Sequence, residues 1–366
     1  MEFLSSSRLT MMSYCFYSTL VLFLTVVCTV SSLVKLPPNV TVPALLVFGD
    51  SIVDTGNNND LKTLVKCNFP PYGKDFEGGI PTGRFCNGKI PSDIIAKELG
   101  IKDTVPAYLD PAVLPQDLIT GVTFASSGSG FDPLTPKLVS VLSLSDQLEY
   151  FKEYIGKLKA IIGEEQTIFT IRNSLFLVVA GSDDIANTYF TLRARRLQYD
   201  VPAYTDLMAN SASSFTQELY ELGARRIVVF SAPPVGCVPS QRTLEGGAER
   251  ECAENLNEAA KLFNSKLSKK LDSLASSLPN SRIFYLDVYN PLLDVIQKPQ
   301  KYGFQVADKG CCGTGNLEVA ILCNQHTSQT CAVVSDYVFW DGYHPTEKAY
   351  KALVYPILRK YLTKFF

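Results

Sequence analysis

Short apolar runs recur along the chain, and between them apolar residues return every three or four positions. Leu45 to Phe48, Val122 to Ala125, Leu175 to Ala180, Ile227 to Phe230 and Ile283 to Leu286 are apolar on both faces. A strand of that kind belongs inside a parallel sheet covered by helices, because a half-exposed antiparallel strand would alternate. Leu256, Ala260, Phe263, Leu267, Leu271, Leu274 and Leu278 form one stripe at helical spacing. Pro91 to Leu99 reads as a short helix that stops at Gly100. This alternation predicts an α/β fold, a doubly wound three-layer α/β/α sandwich around a mostly parallel sheet. With no repeat, low-complexity tract or linker, residues 33–366 are expected to form one domain.

The amino terminus follows a different grammar. Arg8, the apolar stretch Leu20 to Val27 and the small residues Val30-Ser31-Ser32 predict a cleaved secretory signal peptide over residues 1–32. Met11 to Val30 is long enough to be a retained anchor, but Ser13, Ser18, Thr19, Thr25 and Thr29 dilute it. No other segment is long and apolar enough to span a bilayer, so the mature chain is expected outside the cell with no stable membrane span. Cleavage removes Cys15 and Cys28 and leaves Cys67, Cys86, Cys237, Cys252, Cys311, Cys312, Cys323 and Cys331. An even number in an exported chain predicts disulfides, with about 105 possible pairings. The adjacent Cys311 and Cys312 should reach two different partners. Zinc held by Cys323, His326 and Cys331 is the rival reading, disfavoured because oxidation consumes thiols in that compartment. Asn39-Val40-Thr41 is a glycosylation acceptor in a proline-flanked lead-in. The net charge of −2 argues against nucleic acid, and Arg193-Ala194-Arg195-Arg196 is read as a solvated helix face.

The candidate chemistry lies at the two ends of the mature chain. Ser51 directly follows the first apolar run, and His344 closes Asp341-Gly342-Tyr343-His344. A serine hydroxyl needs an adjacent base to act as a nucleophile, and the base needs an orienting group. The sequence has two histidines. His326 sits in the cysteine-rich loop without an adjacent acid, which leaves His344 as base and Asp341 as its orienter. Ser51, Gly128 and the turn Gly181 to Asp184 all fall just after a predicted strand, where open parallel sheets bind ligands. Asp50 is read as a turn residue without a catalytic role.

No Gly-x-Ser-x-Gly elbow occurs in the chain. Instead Phe48-Gly49-Asp50-Ser51, Pro81 to Lys89, Gly121 to Gly130, Gly181 to Asp184, Pro233 to Pro239 and Asp341 to His344 appear in order. Together they resemble the plant GDSL esterase/lipases of the SGNH hydrolase superfamily. Ile52 replaces the leucine of the family name, and Asp183 to Phe190 is most similar to the extracellular-lipase subgroup. The resemblance implies a secreted (apoplast or cell wall) hydrolase of carboxylic esters, with no metal or organic cofactor. It implies Ser51, Asp341 and His344 as catalytic residues. The oxyanion hole would comprise the backbone N–H groups of Ser51 and Gly128 and a side chain at position 183. The partner is an acyl-ester substrate: a lipid, a polyester or an acylated glycan. An acyltransferase using the same site, or a non-catalytic lipid- or glycan-binding wall protein, are the alternatives. The family has Asn where this chain has Asp183. An ionised carboxylate only accepts hydrogen bonds and would repel an oxyanion. The expectation is that Asp183 turns away and leaves the two amides to act alone. Ser127, where many relatives have Gly, should cost nothing obvious.

Overall fold

The computed structural model describes residues 40–326 and 329–365, within one compact unit spanning Lys35–Phe366. The predicted signal peptide at 1–32, Cys15, Cys28 and Asn39 lie outside the described residues. Four apolar runs form a parallel sheet: β1 (Leu45–Gly49), β2 (Leu175–Val179), β3 (Arg226–Phe230) and β4 (Arg282–Leu286), hydrogen-bonded in that order. All residues of β1 and β2 are buried. On one face Phe48 stacks on Phe124 and meets Phe151 and Phe215 edge-on. Those two rings belong to helices Leu144–Ile162 and Val201–Glu221, and Glu254–Ser277 completes that layer. The leucine stripe predicted for the last helix is its buried face, through Leu256, Phe263, Leu267 and Leu271. Helices Pro91–Glu98 and Glu347–Phe365 pack together to form the opposite layer, against β1 and the carboxyl ends of β2 and β3. The architecture is the expected α/β/α sandwich.

Val122 to Ala125 departs from expectation. It lies beside β1, with the Val47 amide donating to Val122 and the Phe124 amide to Val47, but it pairs only through isolated bridges. The outer neighbour, Ala107, touches it at Thr123 alone. With no continuous strand to pair on its far side, the segment is edge structure rather than a full strand.

Counting that edge segment, the spatial order is second, first, third, fourth, fifth. The chain therefore leaves β1 towards one side of the sheet and returns on the other side as β2. Such a reversal opens a crevice beyond the carboxyl ends of the two strands. A smaller parallel pair, β5 (Val306–Gly310) and β6 (Tyr337–Phe339), delivers the C-terminal segment to the same place.

Six cysteines form disulfides, Cys237–Cys252, Cys311–Cys331 and Cys312–Cys323. The adjacent pair does reach two partners, and the thiolates that zinc would need are consumed. Cys67 and Cys86 are free and buried, so the expected disulfides use six of the eight cysteines in residues 33–366. Cys67 lies in an aromatic pocket with Tyr72, Phe85 and Trp340, and the Cys86 thiol lies against the Asn87 side chain and the Pro345 carbonyl. Burial pushes both thiols well above their ordinary range, so they are protonated and unreactive. The basic cluster also differs from expectation. It lies in turns rather than on a helix, and Arg195 is committed to the buried Asp132 through two 2.7 Å bonds.

Candidate active site

Ser51 enters the crevice on a turn that begins at Gly49. Gly49 has φ 135°, and a Cβ there would overlap the Val179 carbonyl, so only glycine lets β1 pass this close to β2. The Gln147 side chain holds both backbone groups of the same residue, donating to the Gly49 carbonyl at 2.9 Å and accepting its N–H at 2.8 Å. The Asp50 carboxylate accepts the Ile52 amide at 3.0 Å and closes the turn. Ser51 itself is 6% exposed.

Residues 340–344 form a tight loop after β6, closed by the Trp340 amide donating to the His344 carbonyl at 2.7 Å. Asp341 Oδ1 accepts the amides of Tyr343 and His344, at 2.8 and 2.6 Å. The imidazole Nδ1 lies 2.9 Å from Asp341 Oδ2, and its Nε2 lies 2.7 Å from Ser51 Oγ. The hydrogen bond to the carboxylate assigns the ring proton to Nδ1 and leaves Nε2 as acceptor for the serine hydroxyl. Ser51 and His344 are 293 residues apart in sequence, and the fold brings them into one hydrogen-bonded chain with Asp341. Such a chain can take the serine proton and return it.

The chain opens on a cleft of about 360 Å³ that also includes Gly128, Asp183 and Asn187. Gly128 has φ 86°, a conformation that favours glycine. Among the described residues, neither the Ser51 nor the Gly128 amide donates to a protein acceptor. Asp183 stays in the cleft wall rather than turning away, because Asn187 Nδ2 holds its Oδ1 at 2.6 Å. Asn187 belongs to Asp184–Thr191, wound as a π-helix, a geometry frequent at functional sites. Burial, and then repulsion from Asp50, push Asp183 up to about 7.

Residues 45–357 match the profile of the GDSL-like lipase/acylhydrolase family. An Arabidopsis thaliana GDSL esterase/lipase, EXL3, is 62% identical over 345 residues, covering 94% of each chain. Another, EXL2, is 53% identical over 358 residues, covering 93% of this chain and 94% of its own. A solved acetylxylan esterase of Geobacillus stearothermophilus is far more distant, at 14% identity and TM-score 0.42 over 88% of this chain and 94% of its own. The chain belongs to the GDSL-like lipase/acylhydrolase family. It is a carboxylic ester hydrolase, as the sequence motifs imply.

Around the GDSL serine, residues that the motifs contain but that sequence reading left without a role build the site's frame. Asp54 accepts four hydrogen bonds, from the amides of Gly56, Asn57 and Ser127 and from the Ser127 hydroxyl. Ser127 is therefore a tie between the serine loop and the glycine loop. Asn57 donates to the carbonyls of Thr123 and Ala125, and Asn58 to that of Ser127. Asp184 faces away from Asp183. It accepts the amides of Phe131 and Asp132 at 2.7 and 3.0 Å, filling the space a Cβ at Gly130 would occupy.

The Pro81 to Lys89 block acts from beneath. Arg84 makes a bidentate pair with buried Asp93, 2.8 Å on each arm, and places Phe85 with its ring 5.0 Å from the imidazole. Tyr72 is the functional neighbour that sequence reading missed. Its hydroxyl donates to Asp341 Oδ2 at 2.8 Å and accepts the Ala320 amide at 2.9 Å. Its partner lies 269 residues away, and a tyrosine in a loop carries no pattern that could have revealed the contact. His326 is exposed in its loop, as expected.

Proposed function

We propose that the protein is an exported serine esterase in which Ser51 attacks the carbonyl of an acyl ester. The observation that carries this reading is the Ser51–His344–Asp341 chain at the cleft. His344 Nε2 takes the Ser51 proton as Oγ bonds to the carbonyl carbon and the carbonyl electron pair moves onto oxygen. The amides of Ser51 and Gly128 receive that oxyanion. Collapse expels the alcohol, protonated by His344. A water activated by the same base then releases the acid and regenerates Ser51. Asp341 keeps the imidazole in the tautomer that both halves need.

The cleft walls favour an acyl chain over an acetylated glycan. Val65, Leu138, Val139, Leu192, Leu244 and Leu317 line the cleft around the polar centre, and its surface is mostly apolar. Leu138, Leu192 and Leu244 are 41%, 56% and 49% exposed, so apolar surface continues out to the rim. Exposed leucines gathered at one mouth indicate a hydrophobic ligand rather than scattered surface residues. Export is supported by the signal-like residues 1–32 and by three disulfides, which persist in oxidising compartments.

A serine-directed organophosphorus probe tests the nucleophile. Wild type should be labelled and Ser51→Ala should not. Equal labelling of a folded Ser51→Ala protein sinks the assignment. Esters of graded chain length, compared with acetylated xylan, test the substrate class: kcat/KM should rise from acetate towards longer acyl groups.

A further inference from the structure

Asp183 combines three features that are hard to reconcile with an ordinary surface carboxylate. It lines the cleft with Ser51, Gly128 and His344 and is 7% exposed. One oxygen, Oδ1, accepts from Asn187, while Oδ2 is buried without a partner. A second buried acid stands nearby: Asp50, on the loop after β1, raises the proton affinity of Asp183. A buried carboxylate with a bare oxygen pays the full desolvation cost of that atom.

The two acids are not equivalent. Asp50 Oδ1 accepts the Ile52 amide and Oδ2 the Ser182 hydroxyl, so both oxygens are stabilised as acceptors. Asp183 has one such bond. Where two neighbouring carboxyls share a site, the proton resides on the one whose anion is less well solvated. That one is Asp183, and the vacant acceptor Oδ2 is where the proton fits.

We propose that Asp183 works as a neutral carboxylic acid whose Oδ2–H donates a hydrogen bond to the oxyanion, beside the amides of Ser51 and Gly128. The inference rests on the serine-esterase reading above. The proton stays on Asp183 throughout; the proton that moves is the one from Ser51, carried by His344 to the leaving alcohol. Oδ2 is shielded in the free protein, so the carboxyl group turns toward the cleft for Oδ2–H to meet a substrate carbonyl, the acceptor it lacks within the protein. A carboxylic acid thus performs the task of an amide, and a titratable donor replaces a permanent one.

The other groups facing Asp183 set the direction of its pH response. Asp50 raises its proton affinity and His344, when charged, lowers it; both come from other loops. Tyr343, on the loop with His344, is held protonated by burial and by Asp183 and Asp50. Asp184, on the same turn, is directed at Phe131, Asp132 and Thr135. With Asp183 at about 7, the donor is present below that pH and becomes a like charge above it.

The test is kcat for a short-chain ester from pH 6 to pH 9, in wild type and Asp183→Asn. Wild type should lose activity on the alkaline side, by about tenfold per pH unit beyond the midpoint. The asparagine donor does not titrate, so the ratio of Asp183→Asn to wild type should rise at least about tenfold across the range. A ratio that stays flat overturns the proposal. So does a wild-type profile that climbs to a plateau at pH 9, a result that does not depend on the variant folding. The organophosphorus probe separates the two levels of inference. Labelling that requires Ser51 together with a flat ratio removes the Asp183 proposal alone, whereas labelling independent of Ser51 removes the esterase mechanism beneath it.

Discussion

Tyr72 extends the Ser51–His344–Asp341 chain by one member. Its hydroxyl bridges Asp341 Oδ2 and the backbone of Ala320, which itself lines the cleft. Tyr72→Phe removes a donor from the carboxylate and leaves the Ala320 amide without its acceptor, a loss of about 1–3 kcal/mol for a buried group. The phenyl ring keeps its edge-on contacts with Phe85 and Trp340, so packing changes little. The expected outcome is a fall in kcat of about tenfold with KM nearly unchanged. A carboxylate short of one donor also stabilises the imidazolium more strongly. The acid limb of the kcat profile should therefore move to higher pH, which a merely structural role would not produce. At this scale the sequence was readable where residue type and local spacing carry chemistry. Ser51, Asp341 and His344 qualify because serine, aspartate and histidine have few other reasons to follow buried strands in that arrangement. Tyr72 and the bare oxygen of Asp183 were not readable, since each depends on which distant atom lies opposite.

The elements explain why those residues meet. Parallel strands end at one edge of the sheet, and β1 and β2 flank the point where the chain reverses its direction of winding. Loops leaving them must face each other across the crevice. The strand positions were legible as doubly apolar runs, and the Glu254–Ser277 helix as a stripe. The edge character of Val122 to Ala125 was not, because an apolar run reports burial and not whether a partner strand lies on both sides. That edge segment leads into Gly128, whose loop is fastened to the serine loop through Asp54, Asn57 and Asn58. At Gly128 a Cβ would come within 2.9 Å of Val139 and would hold a left-handed φ of 86°. Gly128→Ala should therefore displace the amide. The strain is about 1–3 kcal/mol, and losing an oxyanion donor costs about 10²–10³ in kcat. Steady-state kinetics beside a thermal melt separate the two: a large kcat loss with a shift of only a few degrees is expected, whereas an unchanged kcat would mean that this amide takes no part.

For the whole molecule, the cysteines tie the C-terminal third to the site. Cys311–Cys331 and Cys312–Cys323 cross-link the loop that carries Leu317, Val319 and Ala320 along the cleft. They start where β5 pairs with the strand that delivers Asp341 and His344. Closing loops of 20 and 11 residues stabilises by about 3 kcal/mol each in the chain-entropy account. Thiol counting checks the assignment in three states. The native protein should show no reactive thiol. In denaturant without reductant, Cys67 and Cys86 should react among residues 33–366, and reduction should release the other six. Four reactive cysteines in denaturant would mean that one of the three bridges does not form.

The sequence by itself determined the α/β class, the family, and the residues whose chemistry is intrinsic. Apolar periodicity, turn residues and motif order are local properties, and each survives without knowledge of the partner across space. Only the tertiary structure decided which six cysteines pair, that Arg195 is committed to Asp132, that Tyr72 supports Asp341, and that Asp183 remains in the cleft beside Asp50. Apart from the cysteine pairs, which are 11 to 20 residues apart, these are relations between groups distant in the chain. Their energies depend on desolvation and on distances of a few ångströms, quantities that come into being only when the strands have been laid side by side and water has been excluded from between their loops.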